Sequence, residues 1–369
     1  MNRIWIGAIV VVAGGIVLAA QQPPASPPAE QPFRIVRSDP ALDDLIAPDA
    51  KLELMAEHLG LSEGPLWIRE GGTGFLVFSD VAANVIYKRA ADGLLSVFLE
   101  RSGFTDTDNL NVGQQTISGG RVAIILIGSN GLALDQDGRL VITAMADRAV
   151  VRLEKNGTRT LLADRFQGKR LSGPNDVVVK SNGAVYFTDS INGLRGGAAS
   201  PQRELPFNGF YLIKGGRLSY LGGDREPGGG APNGITLSPD EKYLYVTAGR
   251  TVMRYDIQPD DTVADGRVFI QDFSDGMKTD VRGNLYTTTA GGGRASVRVT
   301  SAEGKELGAL QLPVELKEPR PRICSTNVAF GDADNRGLYI TACSKVYRVQ
   351  MKVPGTRLAM RPGSSPATE

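Results

Sequence analysis

Six times along this chain an acid or amide stands in front of an alternating apolar strand, which a Gly- or Asp-bearing turn joins to a second strand. The copies start at Glu63, Asn130, Asn175, Asn233, Asp275 and Asn327. NGLALDQDGRLVITA and NGITLSPDEKYLYVTA show the pattern most fully. Self-similarity at such a period constrains topology more than any local propensity, because each copy is one supersecondary unit that buries its apolar face only against its neighbours. The starts are 67, 45, 58, 42 and 52 residues apart, close to the roughly 40–50 residues of a four-stranded propeller blade. Helical periodicity is almost absent, and the 45 Gly and 21 Pro concentrate between strands, where turns need them. The expected fold is therefore all-β, a six-bladed β-propeller over residues 45–353. A strand around 51–58 is expected to complete the last blade. A pair of β-sandwiches is the rival architecture, but six repeated strand starts fit it poorly.

The ends of the chain read differently. Residues 1–20 join a lone Arg3 to an apolar run, Ile4 to Ala20, that closes on small residues. This is the pattern of a secretory signal, with cleavage expected near Ala20; an uncleaved membrane anchor is the competing reading, and the run is slightly short for one. Residues 21–44 are a Pro-rich linker and lead-in, and 354–369 are expected to be a disordered tail. The mature protein is thus expected in the periplasm or outside the cell, with no membrane contact after cleavage. Lys plus Arg number 41 against 40 Asp plus Glu, a balance that recommends no nucleic acid as partner. A small molecule remains, and oligomeric state is not legible.

Export permits disulfides, and the chain holds two cysteines, Cys324 and Cys343. They flank a hairpin pattern. Pairing Phe330 with Gly337 and counting outward brings the two opposite each other. A cross-strand disulfide is the expectation, with two buried thiols as the alternative.

In a propeller the innermost strands line a central channel, so residues at equivalent repeat positions form a ring. Glu63, Asn130, Asn175, Asn233, Asp275 and Asn327 would gather oxygens at one mouth, without His or Cys. Such a set suits a hard cation, Ca²⁺ foremost, with Mg²⁺, Mn²⁺ or Zn²⁺ as competitors. Asn and Asp before strands are also ordinary turn formers. What favours ligation is repetition, since Glu63 is a poor turn residue. Asn327, with no Gly after it, is left out of the site, and Asn130 is intermediate.

SEGPLW (62–67), GSNGLALDQDGRL (128–140), GKRLSGPNDVVVKSNGAVYFTD (168–189), PNGITLSPDEKYLYV (232–246) and DGMKTDVRGNLY (275–286) closely resemble the senescence marker protein, gluconolactonase and luciferin-regenerating enzyme family. The resemblance spans nearly the whole mature chain, in order. It implies a calcium-dependent six-bladed propeller and, for many members, lactone hydrolysis. It also implies that Glu63, Asn175, Asn233 and Asp275 hold the ion and that the Asn matching Asn175 contacts substrate. Two departures stand out. Ala144 and Met145 occupy places where many bacterial relatives carry an acid and a His, and Ser190 replaces a Pro; both put substrate identity in doubt.

A large hard cation polarises water less than Zn²⁺ does, so a carboxylate is expected to act as base; Asp275 is assigned that role and Glu63 only the holding of the ion. Asn130, Asn175 and Arg170 are the candidate substrate contacts. The single His, His58, leaves a Ser-His-Asp triad or a His-rich zinc site without an imidazole to spare, and its expected place is the N-terminal strand. Asp176 and Asp189 are supporting candidates. Three functions compete: a calcium-dependent hydrolase of sugar-type lactones, an organophosphate or aryl-ester hydrolase on the same oxygen cage, and a non-catalytic ligand-binding propeller with a structural ion.

Overall fold

The computed structural model describes residues 31–108, 112–118, 121–225, 229–291, 294–314 and 324–357. The signal-like run, most of the linker and the tail from 358 onward lie outside them. The described residues form six antiparallel blades, beside two short two-stranded ribbons; the inner strands of the blades are Ser62–Ile68, Ser129–Leu134, Pro174–Val179, Pro232–Leu237, Met277–Thr279 and Asn327–Gly331. Each inner strand lies beside the next, and the sixth returns to the first, so the ring closes.

The second strand of every blade explains why the sheets stack. FLVFSD, LVITA, VYFTD, YLYVTA, LYTTTAG and GLYITA are buried on both faces wherever burial is described, apart from the half-buried Tyr243, as expected for a strand sandwiched between neighbouring sheets. The core is accordingly split into interfaces. Phe75, Val77, Ile142 and Leu132 fill the space between blades one and two. Leu212, Tyr186, Ile235 and Val246 fill that between three and four. At roughly 1.5–3 kcal/mol per buried large side chain, these interfaces hold the ring together while its centre stays open.

Closure is sealed by the strand Leu52–Ala56, which pairs with Lys345–Gln350 as the outer strand of blade six, Leu52 opposite Val349. That agrees with the sequence reading, except that His58 lies past the strand end, exposed and at φ 66°. The folded body passes both expected limits. Arg34–Arg37 adds a fifth strand to blade five, Arg34 opposite Gln311, and the 3-10 turn Pro40–Asp44 buries Leu42 beside Leu45 and Ile46 between blades five and six. The lead-in therefore covers a sheet edge that would otherwise be open to pairing. At the other end, the Gly355 amide donates to the Asn335 carbonyl and the Thr356 amide to the Thr279 carbonyl, both at 2.9 Å.

Cys324 and Cys343 form the disulfide, with Cα atoms 5.5 Å apart. The hairpin register is not the one expected, however: Phe330 faces Leu338 and Gly331 faces Gly337. The turn is one residue shorter than assumed, because Asp332 and Asn335 adopt left-handed conformations at φ 70° and 61°. Cys343 sits beyond the end of its strand, also left-handed at φ 52°, and reaches Cys324 from there instead of across the ladder.

Candidate active site

The residues singled out at the head of each inner strand converge. A set of hydroxyls on the second strands fixes their place. Ser79 donates to the Asn130 carbonyl at 2.9 Å, Thr143 to that of Asn175 at 2.7 Å, and Thr188 to that of Asn233 at 2.6 Å. Thr288 donates to the Thr326 carbonyl at 2.9 Å. Each hydroxyl thus ties the head of the following blade's inner strand to its own sheet. Blade four carries Thr247 at the same place, buried and without a partner.

This pattern corrects the alignment of blade six. The residue equivalent to Glu63 and Asn175 there is Thr326, and Asn327 stands one place further on, level with Asp176. Asp176 Oδ1 accepts the Val177 amide at 2.9 Å and Asn327 Oδ1 the Val328 amide at 2.9 Å. The other four blades carry Gly64, Gly131, Gly234 and Gly276 at this level. A Cβ on Gly276 would come within 2.0 Å of the Asn327 side chain, and one on Gly64, which is also left-handed at φ 48°, within 2.0 Å of the Asn130 carbonyl. The glycines make room for the two larger side chains and for close approach of adjacent blades.

Glu63, Asn130, Asn175, Asp176 and Asn327 are buried, while Asn233 and Asp275 keep partial exposure. The carboxyls of Glu63, Asp176 and Asp275 feel one another. Burial raises Glu63 well above the ordinary glutamate range, and the charges of Asp275 and Asp176 add to this, against hydrogen bonds from the Gly64 amide and Asn327. Burial, then the charge of Asp176, pushes Asp275 up to about 7, while a hydrogen bond from Asn233 opposes the rise. Asp176 is further anchored by the Ile235 amide, 3.2 Å from Oδ2. Asn327, set aside on sequence grounds, therefore belongs to this cluster, and so does Asp176.

Among the described residues, no Lys or Arg is one of the groups that act on Glu63 or Asp275. Several buried carboxylates without a cation are costly unless protonated or neutralised from outside. Asn130 Oδ1 is in addition buried with no hydrogen-bond partner. Hard oxygen donors, excess negative charge and an orphaned amide oxygen fit a divalent cation of the Ca²⁺ type. Among the described residues no three His, Cys, Asp or Glu side chains form a ligand group by themselves, so an ion here would rest on carboxylate and amide oxygens together.

Arg170 does not join this cluster. It lines a separate cavity of about 560 Å³ on the same rim, with Asp147, Arg148 and Glu204. Its guanidinium donates to the Asp147 carbonyl at 2.6 Å and its amide to Glu204 at 2.7 Å. Asp189 supports the head of blade three: it accepts the Ser172 and Gly173 amides, and burial raises it to about 6. Ala144 and Met145 are buried; Met145 packs with Val81 and Leu126.

Residues 59–344 match the SMP-30/Gluconolactonase/LRE-like family. The chain belongs to this family. It is 30% identical over 340 residues to a gluconolactonase of Zymomonas mobilis, covering 87% of each chain. It superposes on a gluconolactonase from Xanthomonas campestris with a TM-score of 0.67 at 26% identity, over 90% of this chain and 99% of that one. A calcium-binding regucalcin from Agrobacterium tumefaciens, 17% identical, shares the fold with a TM-score of 0.59 over 84% of this chain and 98% of its own.

Proposed function

We propose that the protein is a divalent-cation-dependent hydrolase of sugar-type lactones, with calcium as the ion. The observation that carries this is the meeting of Glu63, Asp176 and Asp275 with Asn233 and Asn327 at one end of the channel, with no Lys or Arg among the described residues that acts on Glu63 or Asp275. The Zymomonas gluconolactonase, similar over most of both chains, supports the reaction class. The signal-like N-terminus supports export to the periplasm.

A bound cation would be held by Glu63, Asn233 and Asp275, with Asn175 and Asn130 beside it, and would supply positive charge for polarising the lactone carbonyl. The chain's own residues do the rest. Asn130 and Asn175 present amides that can hold the hydroxyls of a polyol ring. Asp275, partly open to the channel mouth, takes a proton from the water whose oxygen attacks the carbonyl carbon. As the ring C–O bond breaks, the departing oxygen receives that proton, leaving a hydroxy acid. Glu63, buried and hydrogen-bonded to the Gly64 amide at 3.0 Å, would hold its negative charge against the cation and is shielded from proton exchange with solvent.

Proton release from gluconolactone, measured after chelation and again after adding calcium, tests the proposal. Turnover that vanishes and returns is expected. Asp275→Asn should lower kcat by about 10²–10⁴-fold; near-wild-type turnover in that variant would refute its role. Hydrolysis of an aryl phosphate in place of the lactone would favour the esterase reading. Failure on both, with calcium only raising the melting temperature, would favour a structural ion.

A further inference from the structure

The channel has a second end. Beyond the level of Asp176 and Asn327, all six inner strands continue toward the opposite face and enclose a cavity of about 380 Å³. In every blade the residues lining it follow, in sequence, the residue that heads the strand, so the glycine, Asp176 and Asn327 layer divides it from the carboxylate cluster. The cavity is of the size that small ligands occupy.

Its chemistry is unlike that of the first end. Leu66, Trp67, Leu134 and Phe330 give it an apolar wall, interrupted by the hydroxyls of Thr236 and Thr279, whereas a merely water-filled channel would favour polar lining throughout. Arg69 and Arg357 stand at its outer end, and Lys278 lines it further in, at the level of Leu66 and Val178. Arg69 and Arg357 both donate to one neutral acceptor, the Ala333 carbonyl, at 2.9 and 3.2 Å. Lys278 donates to the Met277 carbonyl at 3.2 Å. Among the described residues none of the three makes an ion pair, and the nearest lining acid, Glu241, is held by the amide and hydroxyl of Ser181 at 2.7 and 2.5 Å. The two guanidiniums repel each other, and the one acid acting on Arg357, Asp334, forms no ion pair with it among the described residues, so the pair keeps an excess positive charge that a carboxylate can bridge.

We propose that this end of the channel binds an aliphatic carboxylate: the head bridges Arg69 and Arg357, and the chain lies between the inner strands against Leu66 and Leu134. The site is independent of the carboxylate cluster and of the hydrolase reading. An apolar tail gains from leaving water, and the charged head keeps partial contact with solvent at the mouth.

Calorimetric titration of the full chain with decanoate, below its micelle concentration, tests this. Saturable binding of one decanoate per chain is expected. Decanol, which has the tail without the charge, and acetate, which has the charge without the tail, should each bind at least about tenfold more weakly. The double variant Arg69→Gln/Arg357→Gln, at one half-buried and one exposed position, should keep the wild-type melting temperature and lose about tenfold in decanoate affinity. No saturable heat with decanoate would overturn the proposal, and so would equal affinity in the double variant. Decanoate binding that calcium displaces would also overturn it, by placing the ligand at the other end of the channel.

Discussion

Asp176 and Asn327 stand at the same level of opposite blades, three and six, each accepting the amide of the residue that follows it at 2.9 Å. One is charged and the other neutral, and both act on the carboxylate cluster. Asp176 raises the proton affinity of Glu63 and Asp275, while Asn327 lowers that of Glu63 by hydrogen bonding. Asp176→Asn should therefore lower the pKa of Asp275 in the ion-free protein and weaken calcium binding. It should also cost about 1–2 kcal/mol, since an amide nitrogen facing the Ile235 amide cannot accept from it. Carboxyl NMR titration of wild type and variant measures the first effect; an unchanged Asp275 titration would exclude the coupling.

Stability without a cation should depend on pH in a direction set by the raised carboxyls. For Asp275 the folded pKa, about 7, exceeds the ordinary value of 3.8, so between these values the folded state binds more protons than the unfolded one. Stability then falls as pH rises through this window. Calcium, which favours the charged form, should raise the melting temperature more at pH 8 than at pH 5. Differential scanning calorimetry of the chelated protein at both pH values checks this, and an equal calcium effect at the two would count against it.

Thr188 links two parts of the site, donating to the Asn233 carbonyl at 2.6 Å and accepting the Asp176 amide at 3.0 Å. Thr188→Val keeps the shape but leaves two buried backbone groups unmet, at a cost of about 1–3 kcal/mol. Urea unfolding should show that loss, and kcat should drop while far-ultraviolet dichroism stays unchanged.

The disulfide sits where the ring closes. The Cys343 carbonyl accepts the Ser62 amide at 2.7 Å, one residue before Glu63. Cys343→Ser removes a link across 19 residues and should cost about 2–4 kcal/mol. Because it loosens the head of blade one, calcium affinity should fall as well. Chemical denaturation in saturating and in zero calcium separates the two effects.

The blades were legible because each repeat carries its own strand starts and turn residues, from Glu63 to Asp275. The cluster was legible because a ring places equivalent positions side by side. Blade six misled the reading: like blade three it lacks the Gly that follows the polar residue in the other four, so Asn327, and not Thr326, reads as the head of its strand and is then set aside. The hydroxyl ring was also present as a signal, in the FSD, ITA, FTD, VTA, TTT and ITA of successive second strands, a small polar residue recurring amid Val, Ile and Phe. The fifth strand of blade five was not legible, because RIVR (34–37) is short and follows a Pro-rich stretch, and only the edge it covers gives it a place. The same holds for the hairpin register, which depends on left-handed Asp332 and Asn335, residues that sequence allows in several turns.

The central claim is that carboxylate and amide oxygens from separate blades hold one divalent ion. Calcium titration of the chelated protein by calorimetry, wild type beside Glu63→Gln, tests it most directly. One ion per chain in the wild type, with affinity reduced at least about a hundredfold in the variant, is the expected result. Equal calcium uptake by both proteins, or none by either, would contradict it.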